Sequence, residues 1–206
     1  MTTTTPSRTL SRADTAAMWL FIVVGIGVFV VSVVAAVTRI ASAFGSAPVH
    51  VPAWFAGTRA DAPIGPDGAA VSVELDRAIL TTDALSAAGK GALVLEQVVA
   101  VAAIGSLIGC LIALTVSTMR GRVFSRRNTV LVTTAGIALF LWIFGVPFFG
   151  NMVANDAFRA ISAGTFDNAI ATVDVTGLFL AAFVIAISST VFTVGERLQR
   201  ETEGLV

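Results

Sequence analysis

Read for the spacing of apolar and polar positions, the chain contains four long stretches without a charged residue or a histidine: 15–38, 97–119, 128–155 and 175–195. A hydrocarbon core of about 30 Å is crossed by roughly 20 helical residues rising 1.5 Å each. Lipid offers no partner to backbone N–H and C=O groups, so a segment of this kind must satisfy them within its own helix. The pattern therefore predicts an all-α membrane protein with spans at 15–39, 97–119, 129–150 and 175–195. The tails are then 1–14 and 196–206, and the connections 40–96, 120–128 and 151–174. The Thr run and Pro6 near the start read as a disordered tail. A cleavable signal is the competing reading of the first span, because Ala41-Ser42-Ala43 resembles a cleavage site. Its apolar run is longer than the roughly 7–15 residues of a signal core, which favours a retained helix.

The 40–96 connection has a different period. Val71, Val73 and Leu75 alternate with Ser72, Glu74 and Asp76, the period-two signature of a strand with one covered face, and Pro66-Asp67-Gly68 just before them signals a turn. A second short strand at Val49–Val51, bounded by Pro48 and Pro52, predicts a small antiparallel hairpin or sheet. The 151–174 connection is expected to open with a short helix capped by Asn155, with Phe158 and Ile161 toward the membrane.

Charge sets the expected orientation. Arg120, Arg122, Arg126 and Arg127 crowd the 120–128 connection without an acidic residue, which predicts a cytoplasmic location. Arg8 and Arg12 at one end and Arg197 and Arg200 at the other place both termini on that side, as an even number of spans requires. Asp61, Asp67, Glu74, Asp76, Asp83 and Glu96 in the first opposite connection, and Asp156, Asp167 and Asp174 in the second, complete the asymmetry. Arg39 runs against the trend and is expected to snorkel to the interface.

Composition narrows the function classes. Only 13% of residues are charged, against about 25% in a soluble domain, and mean hydropathy is +0.89. The 13 basic and 13 acidic residues cancel, leaving no field to attract nucleic acid, so no direct nucleic-acid binding is expected. One cysteine, Cys110, and one histidine, His50, supply neither a disulfide nor a metal-ligand set, so no metal and no cofactor is expected. HExxH and GxSxG are both missing, as is a phosphate-cradling glycine loop, and the expectation is a protein that is not an enzyme. No charged group lies at the centre of a span, as ion-coupled transport usually requires.

Several features remain as candidates. Gly105, Gly109, Ala113 and Ser117 recur every four residues, a helix-packing face that serves either a homo-oligomer or, more simply, another helix of the same chain. Thr133 and Thr134 lie at the same depth as Ser188, Ser189, Thr190 and Thr193. They form either a small polar cavity or a set of hydroxyls bonded to carbonyls one turn earlier, and the latter is the simpler reading. Pro147 removes a helical hydrogen bond to Ile143 and predicts a kink or helix end rather than a gating hinge. Glu96 reads as an interface ion pair with Arg39, Lys90 or Arg159.

Three pieces of the second half go together: Gly121-Arg-Val-Phe-Ser-Arg-Arg-Asn128, Phe144-Gly-Val-Pro-Phe-Phe149 and the end Gly195-Glu-Arg-Leu-Gln-Arg-Glu-Thr-Glu-Gly-Leu-Val206. They resemble the bacterial domain-of-unknown-function family 2975, small four-pass membrane proteins, over roughly Glu96 to Val206. Phe124, Ser125 and Asn128 match its loop motif, Gly145, Pro147 and Phe149 its third-span motif, and Leu198, Glu203, Leu205 and Val206 its tail. Val123 stands where the family often has Pro or Ala, and the basic residue usual soon after the Asn is absent from Leu131-Val132-Thr133.

The resemblance implies a bacterial cell (inner) membrane and a nearby helix-turn-helix regulator as a partner. Physically, Phe124 is expected to anchor at the membrane surface and Ser125 or Asn128 to cap the third helix. Arg126 and Arg127 are expected to pair with Glu196, Glu201 or Glu203, with ordinary capping and surface charge as the plainer account. The leading expectation is a regulatory or signalling membrane protein acting through partner binding, to a cytoplasmic regulator or another membrane protein. A small oligomeric transporter and a structural subunit of an envelope complex are the alternatives.

Overall fold

In the computed structural model, residues 11–120, 124–166 and 175–203 are described. Arg8, Arg122, Val123, Asp167, Asp174, Leu205 and Val206 lie outside the described residues, as do the side chains of Arg200 and Glu203.

Four helices are long and apolar enough to cross a membrane: α1 (Arg12–Phe44), α2 (Ala87–Met119), α3 (Arg126–Ile161) and α4, of which Val175–Leu198 is the apolar part and which runs Val175–Glu203. Between α1 and α2 a two-stranded antiparallel sheet is built from β1 (Val49–Ala62) and β2 (Val71–Thr82). Packing follows chain order, α1 on α2, α2 on α3, α3 on α4, with both strands also touching α3.

Each helix outruns its expected span, because hydropathy reports contact with lipid whereas caps decide where a helix begins. Ser11 and Asp14 form a reciprocal capping box, so α1 starts at Arg12 rather than at the first uncharged residue. Ser86 caps α2 and carries it ten residues ahead of Gln97, taking Lys90 and Glu96 into the helix. Ser125 caps α3 by accepting the Asn128 N–H at 3.3 Å.

Two expectations for 151–174 are corrected. The third helix does not end at Pro147 but continues through it to Ile161, and Asn155 lies inside that helix instead of capping a new one. Phe158 is 6% exposed and faces inward, its ring 5.1 Å from Phe55 and 5.0 Å from Phe166, because the hairpin covers that side of α3; Ile161 does remain exposed.

The hairpin is larger than the short strands expected. Register runs from Val49↔Thr82 through Trp54↔Arg77, breaks at a bulge, and resumes from Thr58↔Leu75 to Ala62↔Val71. Pro52 does not stop β1, since each strand of a two-stranded sheet has a free edge where no N–H donor is needed. Gly57 adopts φ +70° at the bulge, where a Cβ would lie 2.7 Å from a Glu74 carboxylate oxygen. The turn falls at Pro66–Gly68, with Asp67 in the left-handed region that short polar side chains tolerate. On the β2 face expected to be covered, Val73 and Leu75 are half-buried but Val71 is exposed.

The tightest core lies at the hairpin end, where Val49, Val51 and Ala53 meet Ala43 of α1, Ala92 and Leu93 of α2, and Val153, Ala154, Ala157 and Phe158 of α3. Along the helices the balance reverses: Val31 is 67% exposed, Phe179 72% and Val23 64%. Water would charge about 25 cal/mol for each Å² of such surface, and lipid removes that cost. The four candidate spans point to a membrane protein on this ground.

Candidate functional site

The first candidate is the end of the helices remote from the hairpin. The Phe124 ring sits over Gly195 of α4, where any Cβ would overlap it, and 5.9 Å from the Phe192 ring. Its anchor is thus α4, not only a membrane surface. Thr129 of α3 donates to the Glu196 carboxylate at 3.5 Å. These contacts join the start of α3 to the last turns of α4, as the loop and tail pieces of the sequence require if they act as one unit.

Of the acidic residues expected to pair with Arg126 and Arg127, Glu201 is in an ion pair with Arg197 at 3.1 Å, one turn away on α4, and the Glu203 side chain lies outside the described residues. Arg126 and Arg127 are exposed, and Leu198 is 57% exposed on the same terminal stretch. Asn128 is 1% exposed, buried beneath the cap that Ser125 makes.

The small-residue face divides in two. Gly105 is a contact with α1, since a Cβ there would stand 2.8 Å from the Phe29 ring, whereas Gly109 has open space around it. Ala113 and Ser117 are half-buried. Elsewhere the close approaches are Gly145 to Val99 and Gly136 to Ile185, neither of them in the expected series.

Three of the hydroxyls grouped by depth bond as the simpler reading expects. Thr133, Thr190 and Thr193 donate to carbonyls one turn earlier, and Thr133 also meets Ser189 at 3.3 Å across α3 and α4.

At the opposite end lies a cavity of about 350 Å³. Arg39 of α1, Trp54 and Arg77 of the hairpin, Glu96 of α2, and Pro147 and Asn151 of α3 line it. Arg39 donates to the His50 carbonyl at 2.6 Å, tying α1 to β1. The Arg77 guanidinium stacks 5.1 Å over the Trp54 ring, its cross-strand partner. Lys90, offered as a partner of Glu96, instead lies 5.4 Å over the Phe44 ring. Sequence reasoning left Arg77 and Trp54 unremarked, since their meeting depends on a register that no local pattern announces.

No family model, no curated protein and no solved structure matches the chain.

Proposed function

We propose that the chain is a non-enzymatic, multi-pass protein of a bacterial cell membrane, with both termini cytoplasmic, that acts in regulation or signalling by binding a partner. The observation that carries this reading is the docking of Phe124 on Gly195 and Phe192, which ties the Arg-rich connection to the end of α4 and leaves Arg126 and Arg127 facing solvent. A preformed, basic platform of this kind fits an acidic surface on a cytoplasmic regulator, or on another membrane protein, better than it fits chemistry. The resemblance of Phe124, Ser125 and Asn128 to the loop motif of family 2975 supports the same assignment. A homo-oligomer is compatible with it, through the open face at Gly109.

Transport is the weaker reading on present geometry. Of the hydroxyls that would line a path, Thr133, Thr190 and Thr193 are engaged with backbone carbonyls, and Thr133 also with Ser189.

The test is co-purification of the intact chain from detergent extract, compared with a chain carrying Arg126→Ala and Arg127→Ala. A DNA-binding regulator recovered with the first and lost from the second supports the proposal. Recovery of none, with transcript levels unchanged on deletion of the gene, rejects it. Saturable solute flux into proteoliposomes that Ser189→Leu abolishes would establish the transport reading instead.

A further inference from the structure

We infer that the cavity beneath the hairpin is a binding site for a phosphoethanolamine group, a phosphoryl anion carrying a primary ammonium. Two guanidinium groups and one carboxylate line the cavity, from three separate elements. The Arg77 guanidinium lies 5.1 Å over the Trp54 ring, a contact that holds its charge at the cavity wall. Arg39 commits one donor to the His50 carbonyl, out of the five a guanidinium carries. Among the described residues Arg39 and Glu96 form no ion pair within 4.0 Å, although both line the cavity. A lining of both signs matches a ligand that is itself a zwitterion, its phosphoryl oxygens on the guanidinium groups and its ammonium on Glu96. The volume, about 350 Å³, falls within the roughly 300–1,000 Å³ of small-ligand sites.

The site's level in the fold indicates where such a group comes from. Glu96 immediately precedes the uncharged stretch that begins at Gln97, and Pro147 belongs to the uncharged stretch of α3. The cavity thus straddles the edge of the apolar layer. On either side of Pro147, Phe144 and Phe148 stack 6.0 Å apart and are exposed, an apolar surface suited to acyl chains. A phospholipid headgroup is therefore the first source, and a soluble phosphoethanolamine the second. The inference uses the membrane reading of the four helices but neither their orientation nor the identity of a protein partner.

The experiment is native mass spectrometry of the full chain in detergent containing equal amounts of phosphatidylethanolamine and phosphatidylglycerol, alongside calorimetric titration with O-phosphoethanolamine. Arg77→Gln, at an exposed side chain, and Glu96→Gln, at a half-buried one, are the variants, with thermal melting as the check on folding. The wild type retains phosphatidylethanolamine about tenfold over phosphatidylglycerol, and each variant loses about tenfold in that retention, the loss of one charge-assisted contact. That result assigns the lipid. Saturable binding of O-phosphoethanolamine without a lipid preference, abolished by both variants, assigns the soluble source. Retention that neither substitution alters, or equal retention of the two lipids with no titratable binding, overturns the inference.

Discussion

Asp156 near the end of α3 accepts both the backbone N–H of Ser86, at 2.8 Å, and its hydroxyl, at 2.5 Å, so that the residue capping α2 is itself held by the neighbouring helix. Ser86 in turn accepts the Gly89 N–H at 3.1 Å, and a Cβ on Gly89 would run into the Asp156 carboxylate. Three residues from two helices thus form one capped joint at the hairpin end.

Asp156→Ala is predicted to destabilise the fold by about 1–3 kcal/mol, the range for losing a charge-assisted bond and weakening a cap. Gly89→Ala is predicted to cost as much by displacing the carboxylate. Thermal melting in detergent or nanodiscs measures both, and wild-type melting of either would show that the joint carries no stability.

The Gly105 and Gly109 positions are predicted to part company. Gly105→Ala presses on Phe29 and should cost about 1–3 kcal/mol as an overpacking change, while Gly109→Ala fills open space and should leave the monomer's melting unchanged. Equal losses at the two positions would mean that Gly109 is covered in the native protein, and crosslinking from that face would then identify a second copy.

Phe124→Ala is predicted to loosen the loop from α4 at a cost of about 1–2 kcal/mol, below the roughly 3–5 kcal/mol of a fully buried Phe because this side chain is partly exposed. Gly195→Val should be at least as damaging, since any Cβ overlaps the ring. Hydrogen exchange in the first turn of α3 reports the effect: faster exchange in both variants is expected, and protection at the wild-type level would contradict the docking.

The proposed orientation predicts that a cysteine at Asp67, in the hairpin turn, reacts with an impermeant maleimide added to intact cells once Cys110 is replaced by Ser. A cysteine at Ser11, the cap of α1, should react only after the membrane is opened. The reverse pattern would invert the topology.

Much of the fold was legible from spacing alone. The four uncharged stretches, the strand at Val71–Asp76, the turn at Pro66–Gly68 and a cap at Ser125 or Asn128, of which α3 uses Ser125, all follow from local rules, because each expresses one residue's relation to its near neighbours or to solvent. Where local rules mislead, a distant surface is responsible. Phe158 reads as lipid-facing until the hairpin covers it, and of the two readings of Pro147, a kink or a helix end, the end is excluded because α3 extends beyond it into the hairpin core. Glu201 was as available to Arg126 as to Arg197 in composition, and proximity on α4 decided for the latter.

What the linear order of residues determined by itself is the solvent of each segment: runs without charge demand lipid and a self-satisfied helix, and no partner elsewhere in the chain alters that. Which side chains meet is another matter. Arg39, Arg77 and Glu96 come to one cavity, Asp156 reaches Ser86, and Phe124 finds Gly195, only because four helices and a bulged hairpin bring together residues far apart in sequence. Register and helix packing set those distances, and neither is encoded in any one segment, so the tertiary structure alone decided where chemistry is brought together.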